Sequence, residues 1–383
     1  MKKIGLVLLL GLALTVALFA GGGRQQAASN VVKLGVLAPL TGTNAEYGRG
    51  FQVATQMAVD RINAAGGANG RRLELVVRDS KGDPKESSDL ARQFADDEEI
   101  LAIIGDFTSG CCMANAPIID AAGIVQLSPT ASHPDYAGMS PYAFGIMGRQ
   151  DIEAPYFARH IISRFMGVKH VGVLYINSDW GTACFSNFKA EADRIGLQIT
   201  SENYVQDERD FSSLITRLRS TSGLEAVMIM DQGAVPLIIN QIRATGWSIP
   251  LTTLGPGTSQ QIIDLCGRNA EGLLLTTPFF FDERDAELMS WRNEFVSKTG
   301  FEPTIHPACA YDCVGLIAAA IEACGNNAVT RRAIRDNLEK VNFTGVTGPI
   351  KFNRDGDVNR QYMICGVEGG KYVVKAGFEF ANQ

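Results

Sequence analysis

The densest run of reactive side chains in this 383-residue chain is "GDFTSGCCMANAP", residues 105–117, where the hydroxyls of Thr108 and Ser109 adjoin the thiols of Cys111 and Cys112. Three chemistries fit it. A thiol on a tight strand-to-helix turn can act as a nucleophile, because the free N–H groups of a helix start lower its pKa. Adjacent cysteines can clip a metal. The same N–H groups, joined by a small hydroxyl such as that of Ser109, can instead cradle an anion like a carboxylate. Plain N-capping is the competing role for Ser109.

The partners that each chemistry needs narrow the choice. A thiol enzyme would pair Cys111 or Cys112 with His133 or another of the four histidines, yet no family-type catalytic cysteine motif surrounds either thiol. Cys309 and Cys313 fall on one helical face by spacing, but no CxxC pair or His-rich partner completes a zinc set. "NRDGDVN", residues 353–359, alternates amides and acids like a calcium loop. Val358 stands where the loop requires Gly, and Ile364 where it requires Glu, so a hairpin tip is expected. The first strand is followed by no GxGxxG, and the chain carries no P-loop and no HExxH. The expectation is a binding protein with no catalytic residue, no metal and no cofactor.

The elements that must position these residues follow a repeating grammar. "VVKLGVLAPLTG" leads into "GRGFQVATQMAVDRINAAGG", "RRLELVVRDSKGDP" into "KESSDLARQFADDEE", and "ILAIIGDFTSG" into "CCMANAPIIDAAG". β-branched runs alternating with stretches of helical period predict parallel strands joined by crossover helices. After a break near 146–150 the grammar restarts with "HVGVLYINSDWG" and continues to "PLTTLGPG", which makes two similar α/β halves. A mostly helical third segment follows, and then Asp355-Gly356 and Gly369-Gly370 read as hairpin turns. Ligands of open parallel sheets gather at the carboxyl ends of strands. That rule singles out Thr41 to Tyr47, Asp106 to Cys111, Ser128 to His133, Asn177 to Gly181, Asp231 to Gly233 and Gly255 to Thr258, which are rich in hydroxyls and poor in catalytic pairs.

Composition bounds the setting. With 46% hydrophobic residues and a spread-out net charge of −6, the chain is long enough for two cores and has no basic tract of the kind that tracks nucleic acid. Residues 1–30 run from Lys2 and Lys3 through "IGLVLLLGLALTVALFA" to "GGGRQQAASN", the order of an export signal, so the remainder is expected to be soluble and extracytoplasmic, in the periplasm. Gly21, Gly22 and Gly23 stand where a lipid-carrying Cys would be needed, so a lipid anchor is not supported. Export permits disulfides among the eight cysteines, but their pairing cannot be read from spacing.

Taken in order, "VVKLGVLAPLTGTNAEYGRGFQVATQMAVDRINAAGGANGRRLELVVRDSKGDP", "AIIGDFTSG", "QLSPTAS", "VGVLYINSDWG", "ERDFSSLITRLRS", "IRATGW" and "TGPIKFNRDGD" resemble the branched-chain amino acid (leucine/isoleucine/valine) binding proteins of ABC importers. The resemblance spans essentially the whole chain after the leader. It implies the type I periplasmic binding protein fold: α/β, with two Rossmann-like lobes of parallel sheet joined by three crossovers and closing by a hinge. Lobe 1 would comprise 31–147 plus 279–346, and lobe 2 would comprise 148–278 plus 347–383. The implied partners are a small-molecule ligand, an amino acid or similar small carboxylate, and an ABC transporter permease, with the protein itself a monomer. The implied carboxylate grip is Ser109, Thr130 and Ser132. Trp180 would pack on the ligand with Tyr47 nearby, and further contacts would fall near Asp231, Gln232 and Gly257.

One position departs from the pattern. Amino acid binders of this family place an acid in the loop that corresponds here to "LGPGTS", to pair with the ligand ammonium, and Gly257 occupies that place. A buried ammonium without a carboxylate is costly. Either Asp231 supplies the charge or the ligand lacks an ammonium. The competing function is a sensor of the same fold that regulates a receptor or partner, with an aromatic acid, amide or nucleoside as ligand.

Overall fold

The computed structural model describes residues 30–255 and 258–382. Residues 1–29 of the expected export leader (1–30), and Gly257, lie outside the described residues.

The first half builds a five-stranded parallel sheet. Its strands are β1 (Val31–Ala38), β2 (Arg72–Asp79), β3 (Ile100–Ile104), β4 (Val125–Ser128) and β5 (Ala143–Gly145), in the order β2-β1-β3-β4-β5. Helices α1 (Ala45–Ala64), α2 (Pro84–Asp96) and α3 (Ser109–Ala122) make the crossovers. Buried Val36, Ile103, Ile104 and Leu127 show why these strands read as continuous apolar runs: a parallel sheet is covered on both faces. Local signals set the helix ends. The Asp83 carboxylate accepts from Glu86 N at 2.8 Å with Pro84 in the first helical position, and Gly123 ends α3 at φ +59°.

The chain then crosses to a second sheet through α4 (Gln150–Tyr156), which continues as a wider helical turn over Phe157–Phe165. In chain order follow β6 (His170–Ile176), α5 (Asp179–Ile195), β7 (Gln198–Tyr204), α6 (Ser212–Arg219), β8 (Ala226–Met230), α7 (Val235–Ala244), β9 (Leu251–Thr253), α8 (Gln260–Cys266) and β10 (Leu274–Thr277). A second crossing leads to α9 (Ala286–Thr299), α10 (Ile305–Glu322) and α11 (Arg331–Leu338), and α10 packs against α1 on the first sheet. α10 is long and apolar enough to cross a bilayer, yet Cys309, Cys313, Leu316 and Ile317 are all fully buried in that core, which accounts for its composition.

A short hairpin, β11 (Asn342–Gly345) with β12 (Gly348–Lys351), precedes the third crossing. The final strands β13 (Met363–Glu368) and β14 (Lys371–Ala376) then complete a seven-stranded sheet in the order β14-β13-β10-β9-β8-β6-β7. These last two strands run antiparallel, so the second sheet is mixed and not purely parallel. Gly369 and Gly370 form the expected two-residue turn, with φ of +56° and +73°. The expected division at residue 347 falls inside the β11–β12 hairpin. Ile350, Phe352 and Val358 pack with Phe144 and Ile146 in the core of the first sheet, so apolar burial keeps the chain there past that point.

Candidate functional site

The carboxyl ends of both sheets face one another across a cleft, and capped helix starts hold the loops there. Thr108, not Ser109, is the N-cap of α3, its hydroxyl accepting from Cys111 N at 3.3 Å. Ser178 does the same for α5, accepting from Gly181 N at 3.2 Å. Ser109 is thereby left for another task. Its hydroxyl oxygen accepts from the backbone N–H groups of Ser132 and His133, each at 3.3 Å, and ties the start of α3 to the loop after β4.

The Thr130 hydroxyl donates to Phe107 O at 2.7 Å and so holds two loops together. Ser132 faces the opposite sheet, because its hydroxyl accepts from the Trp180 indole N–H at 3.0 Å. Gln150, on the first crossing, donates from Nε2 to Trp180 O at 3.0 Å and accepts from Ser132 Oγ at 3.4 Å. Tyr47, in the first turn of α1, stacks on Phe107 with ring centroids 4.4 Å apart, and its hydroxyl donates across the cleft to Gln232 O at 3.2 Å. The His306 ring meets Tyr47 edge-on, and burial pushes its pKa down to about 3, so the aromatic floor carries no charge there.

From the second sheet, Asp231 is buried at the end of β8. One oxygen accepts from the Tyr204 hydroxyl at 2.7 Å and the other from Ala234 N at 2.9 Å. Burial outweighs these bonds and raises its pKa above the usual carboxylate range. Gly233 marks how closely the two sides approach: a Cβ there would lie 2.6 Å from Thr43 Cγ2 and 2.8 Å from Asn44 Oδ1. A cavity of about 290 Å³ runs along this seam, bordered by Asn44, Thr108, Asp179, Trp180, Asp231 and Gln232. The seven described residues expected at the site thus divide between its two walls: Tyr47, Ser109, Thr130 and Ser132 on one, Trp180, Asp231 and Gln232 on the other.

Thr43 and Glu46, which fall within the strand-end range Thr41 to Tyr47 but were not singled out individually, bridge the walls, and Glu153, which sequence reasoning missed, braces the second wall. The Thr43 hydroxyl donates to Asp207 at 3.1 Å and accepts from Arg209 at 3.4 Å. The Glu46 carboxylate accepts from Ser259 Oγ at 3.1 Å and Gln260 N at 3.0 Å. Glu153 accepts from Gly255 N at 3.0 Å and from Thr276 Oγ1 at 2.5 Å. Position at the end of β1 was a usable signal for Thr43 and Glu46. Glu153 lies on a crossing helix, and nothing local marked it.

The two thiols that first drew notice sit behind the cradle. Cys111 and Cys112 are fully buried, and burial, aided by the neighbouring Asp106 carboxylate, pushes both thiol pKa values far up despite the helix start. All eight cysteines are free and buried, and no cluster of three His, Cys, Asp or Glu with metal-holding geometry occurs among the described residues. Residues 353–359 form a turn in which Asn353 Oδ1 accepts from the backbone N–H groups of Asp355 and Asp357.

Comparison with known proteins agrees with this geometry. The family model described as periplasmic binding protein matches residues 31–371. Leu/Ile/Val-binding protein homolog 1 of Brucella abortus is 28% identical over 353 residues, covering 91% of this chain and 92% of that protein. The leucine-, isoleucine-, valine-, threonine- and alanine-binding protein of Pseudomonas aeruginosa is 26% identical, covering 88% and 90%. Among solved structures, the branched-chain amino acid transporter substrate-binding protein LivJ of Streptococcus pneumoniae, in complex with isoleucine, superposes with a TM-score of 0.82 at 24% identity, covering 91% of this chain and 100% of that one. At that identity the likeness is one of fold.

Proposed function

The chain belongs to the periplasmic binding protein family, and from that premise we propose that it captures a branched-chain amino acid, or a similar small carboxylate, between its two sheets and delivers it to an ABC permease. The fold is type I, and members of the family bind solutes outside the cytoplasm rather than turn them over. The observation that carries the ligand class is the Ser109 hydroxyl at the start of α3: its oxygen accepts from the backbone N–H groups of Ser132 and His133, which leaves its own O–H to donate. A hydroxyl donor beside a helix start suits a carboxylate. The names of the Brucella and Pseudomonas relatives supply the branched-chain side.

In this reading the two cores are lobes, 31–147 with 279–358 and 148–278 with 362–382, and the three crossings between them are the hinge. A ligand that touches both walls only when they meet shifts the population toward the closed arrangement. Residues 1–30 act as the export signal and leader, and the exported protein works as a monomer.

The test is calorimetric titration of the chain lacking residues 1–29 with leucine, isoleucine, valine, benzoate, an aliphatic amide and a nucleoside. Small-angle scattering with and without ligand accompanies it. Saturable binding of a branched-chain amino acid with a decrease in radius of gyration is expected. Absence of saturable binding to every solute would overturn the proposal.

A further inference from the structure

A second cavity, of about 420 Å³, lies beside the crossing between β10 and α9. It shares no lining residue with the 290 Å³ cavity of the cleft, and none of the seven described residues expected to hold the ligand borders it. Both cores build its wall. Thr258, Ile263, Leu275 and Tyr372 come from the second sheet and its connections, whereas Met289, Arg292 and Ile305 come from α9 and α10, which pack on α1. Its volume is that of a small-molecule site.

The body of the wall is apolar. Phe279, Phe280 and Phe281 on the crossing lend three part-exposed rings, to which Ile263, Leu275 and Met289 add aliphatic surface. These rings are divided between the cores, Phe280 packing with the second and Phe279 and Phe281 with the first, so a change in the spacing of the two cores rearranges the wall. Most polar groups on it are committed. Thr277 Oγ1 donates to Phe279 O at 2.7 Å, Thr304 Oγ1 bonds the His306 ring at 3.0 Å, and the Tyr372 hydroxyl donates to Ser259 O at 2.7 Å. Arg292 is paired with Glu302, and the remaining charges, Glu283 and Lys371, are exposed and opposite in sign, so the wall as a whole favours neither an anion nor a cation. Thr258 differs. It is buried, and its hydroxyl has no partner among the described residues. An unpaired buried hydroxyl is costly, and a ligand that bonds it removes that cost.

We propose that this cavity is a second ligand site, for an uncharged aromatic molecule with a single hydrogen-bonding group, its ring held against Phe279, Phe281 and Met289 and its polar atom on the Thr258 hydroxyl. Because both cores supply the wall, an occupant favours the closed arrangement, and the two sites tighten each other's ligands. This coupling rests on the hinge reading above.

Indole serves as the probe, since its ring suits the apolar wall and its one N–H can donate to the Thr258 oxygen. Calorimetry titrates it into wild type, Met289→Trp and Thr258→Val, each with and without saturating leucine, and thermal melts show that the variants are folded. Wild type should bind one indole, about fivefold tighter when leucine is present. Met289→Trp fills the cavity and should abolish indole binding with leucine affinity kept. Thr258→Val keeps the shape and loses the bond, so indole should bind about fivefold more weakly. Without indole this variant should melt no lower than wild type, because an unpaired hydroxyl has been removed. Absence of saturable indole binding, displacement of indole by leucine, or undiminished indole binding in either variant would overturn the site. Equal indole affinity with and without leucine would overturn its coupling to closure. A wild type that binds indole, loses it in Met289→Trp and does not bind leucine would overturn the amino-acid reading while leaving the second site standing.

Discussion

The indole N–H of Trp180 donates to the Ser132 hydroxyl across the cleft at 3.0 Å, and Gln150, from the chain's first crossing, bonds to both residues. One side-chain triad therefore joins the first turn of α5, the loop after β4 and the connection between the two sheets.

Trp180→Phe keeps an aromatic ring in the cleft and removes the donor. Leucine affinity is expected to fall by about 1 kcal/mol, the usual worth of a single buried hydrogen bond. Stopped-flow fluorescence should locate the loss mainly in faster release. An unchanged release rate would place this bond outside the ligand-bound state.

Ser109→Ala removes an acceptor for two backbone N–H groups and, in the proposed function, a donor to the ligand carboxylate. Affinity for leucine should drop by about 1–3 kcal/mol. Calorimetry with leucine and with leucinamide separates the parts, since only the acid should lose the donor's share. Equal losses for the two ligands would mean that Ser109 serves the loop alone.

Tyr204→Phe leaves the buried Asp231 carboxylate short of one donor. Stability should fall by about 1–3 kcal/mol in urea unfolding, while the preference for leucine over 4-methylpentanoate, its deaminated analogue, stays as in wild type. A changed preference with unchanged stability would give Asp231 a direct role at the ligand.

Asp357, beside the first crossing, is buried with Oδ2 lacking a partner among the described residues, and burial raises its pKa to about 7, Arg149 opposing and Asp151 and Asp355 adding to the shift. The folded state thus holds a proton that the unfolded chain, with a pKa of about 3.9, releases. The contribution of Asp357 to stability is therefore fully present below about pH 4 and is lost as pH rises toward 7. Asp357→Asn should be insensitive in that window, so the variant should gain about 1–3 kcal/mol on wild type between pH 4 and pH 8. Urea melts at the two pH values check this, and parallel behaviour of the two proteins would refute it.

Much of the architecture was legible because its causes are local. The apolar runs that became β1, β3, β6 and β8, the Pro84 and Gly123 helix signals, and the Gly369-Gly370 turn each act through a few neighbouring residues. Strand ends in a parallel sheet point at one edge, which put Ser109, Ser132, Tyr47 and Trp180 within the marked loops, and the resemblance to the family singled them out. Tertiary structure decided what those side chains bond to. The Thr130 hydroxyl went to Phe107 O, and helix capping fell to Thr108. Cys111 and Cys112 were silenced by burial, which outweighed the helix start next to them. The hairpin at 342–351 stayed with the first core because Ile350 and Phe352 found apolar partners there.

By itself the sequence determined two α/β layers and the loops that would line a cleft, since periodicity, caps and turns report backbone geometry over a few residues. Which side chains meet across the cleft was decided only by folding. Glu46 and Ser259 are 213 residues apart, and their meeting depends on the packing of two separate cores, which no local pattern encodes.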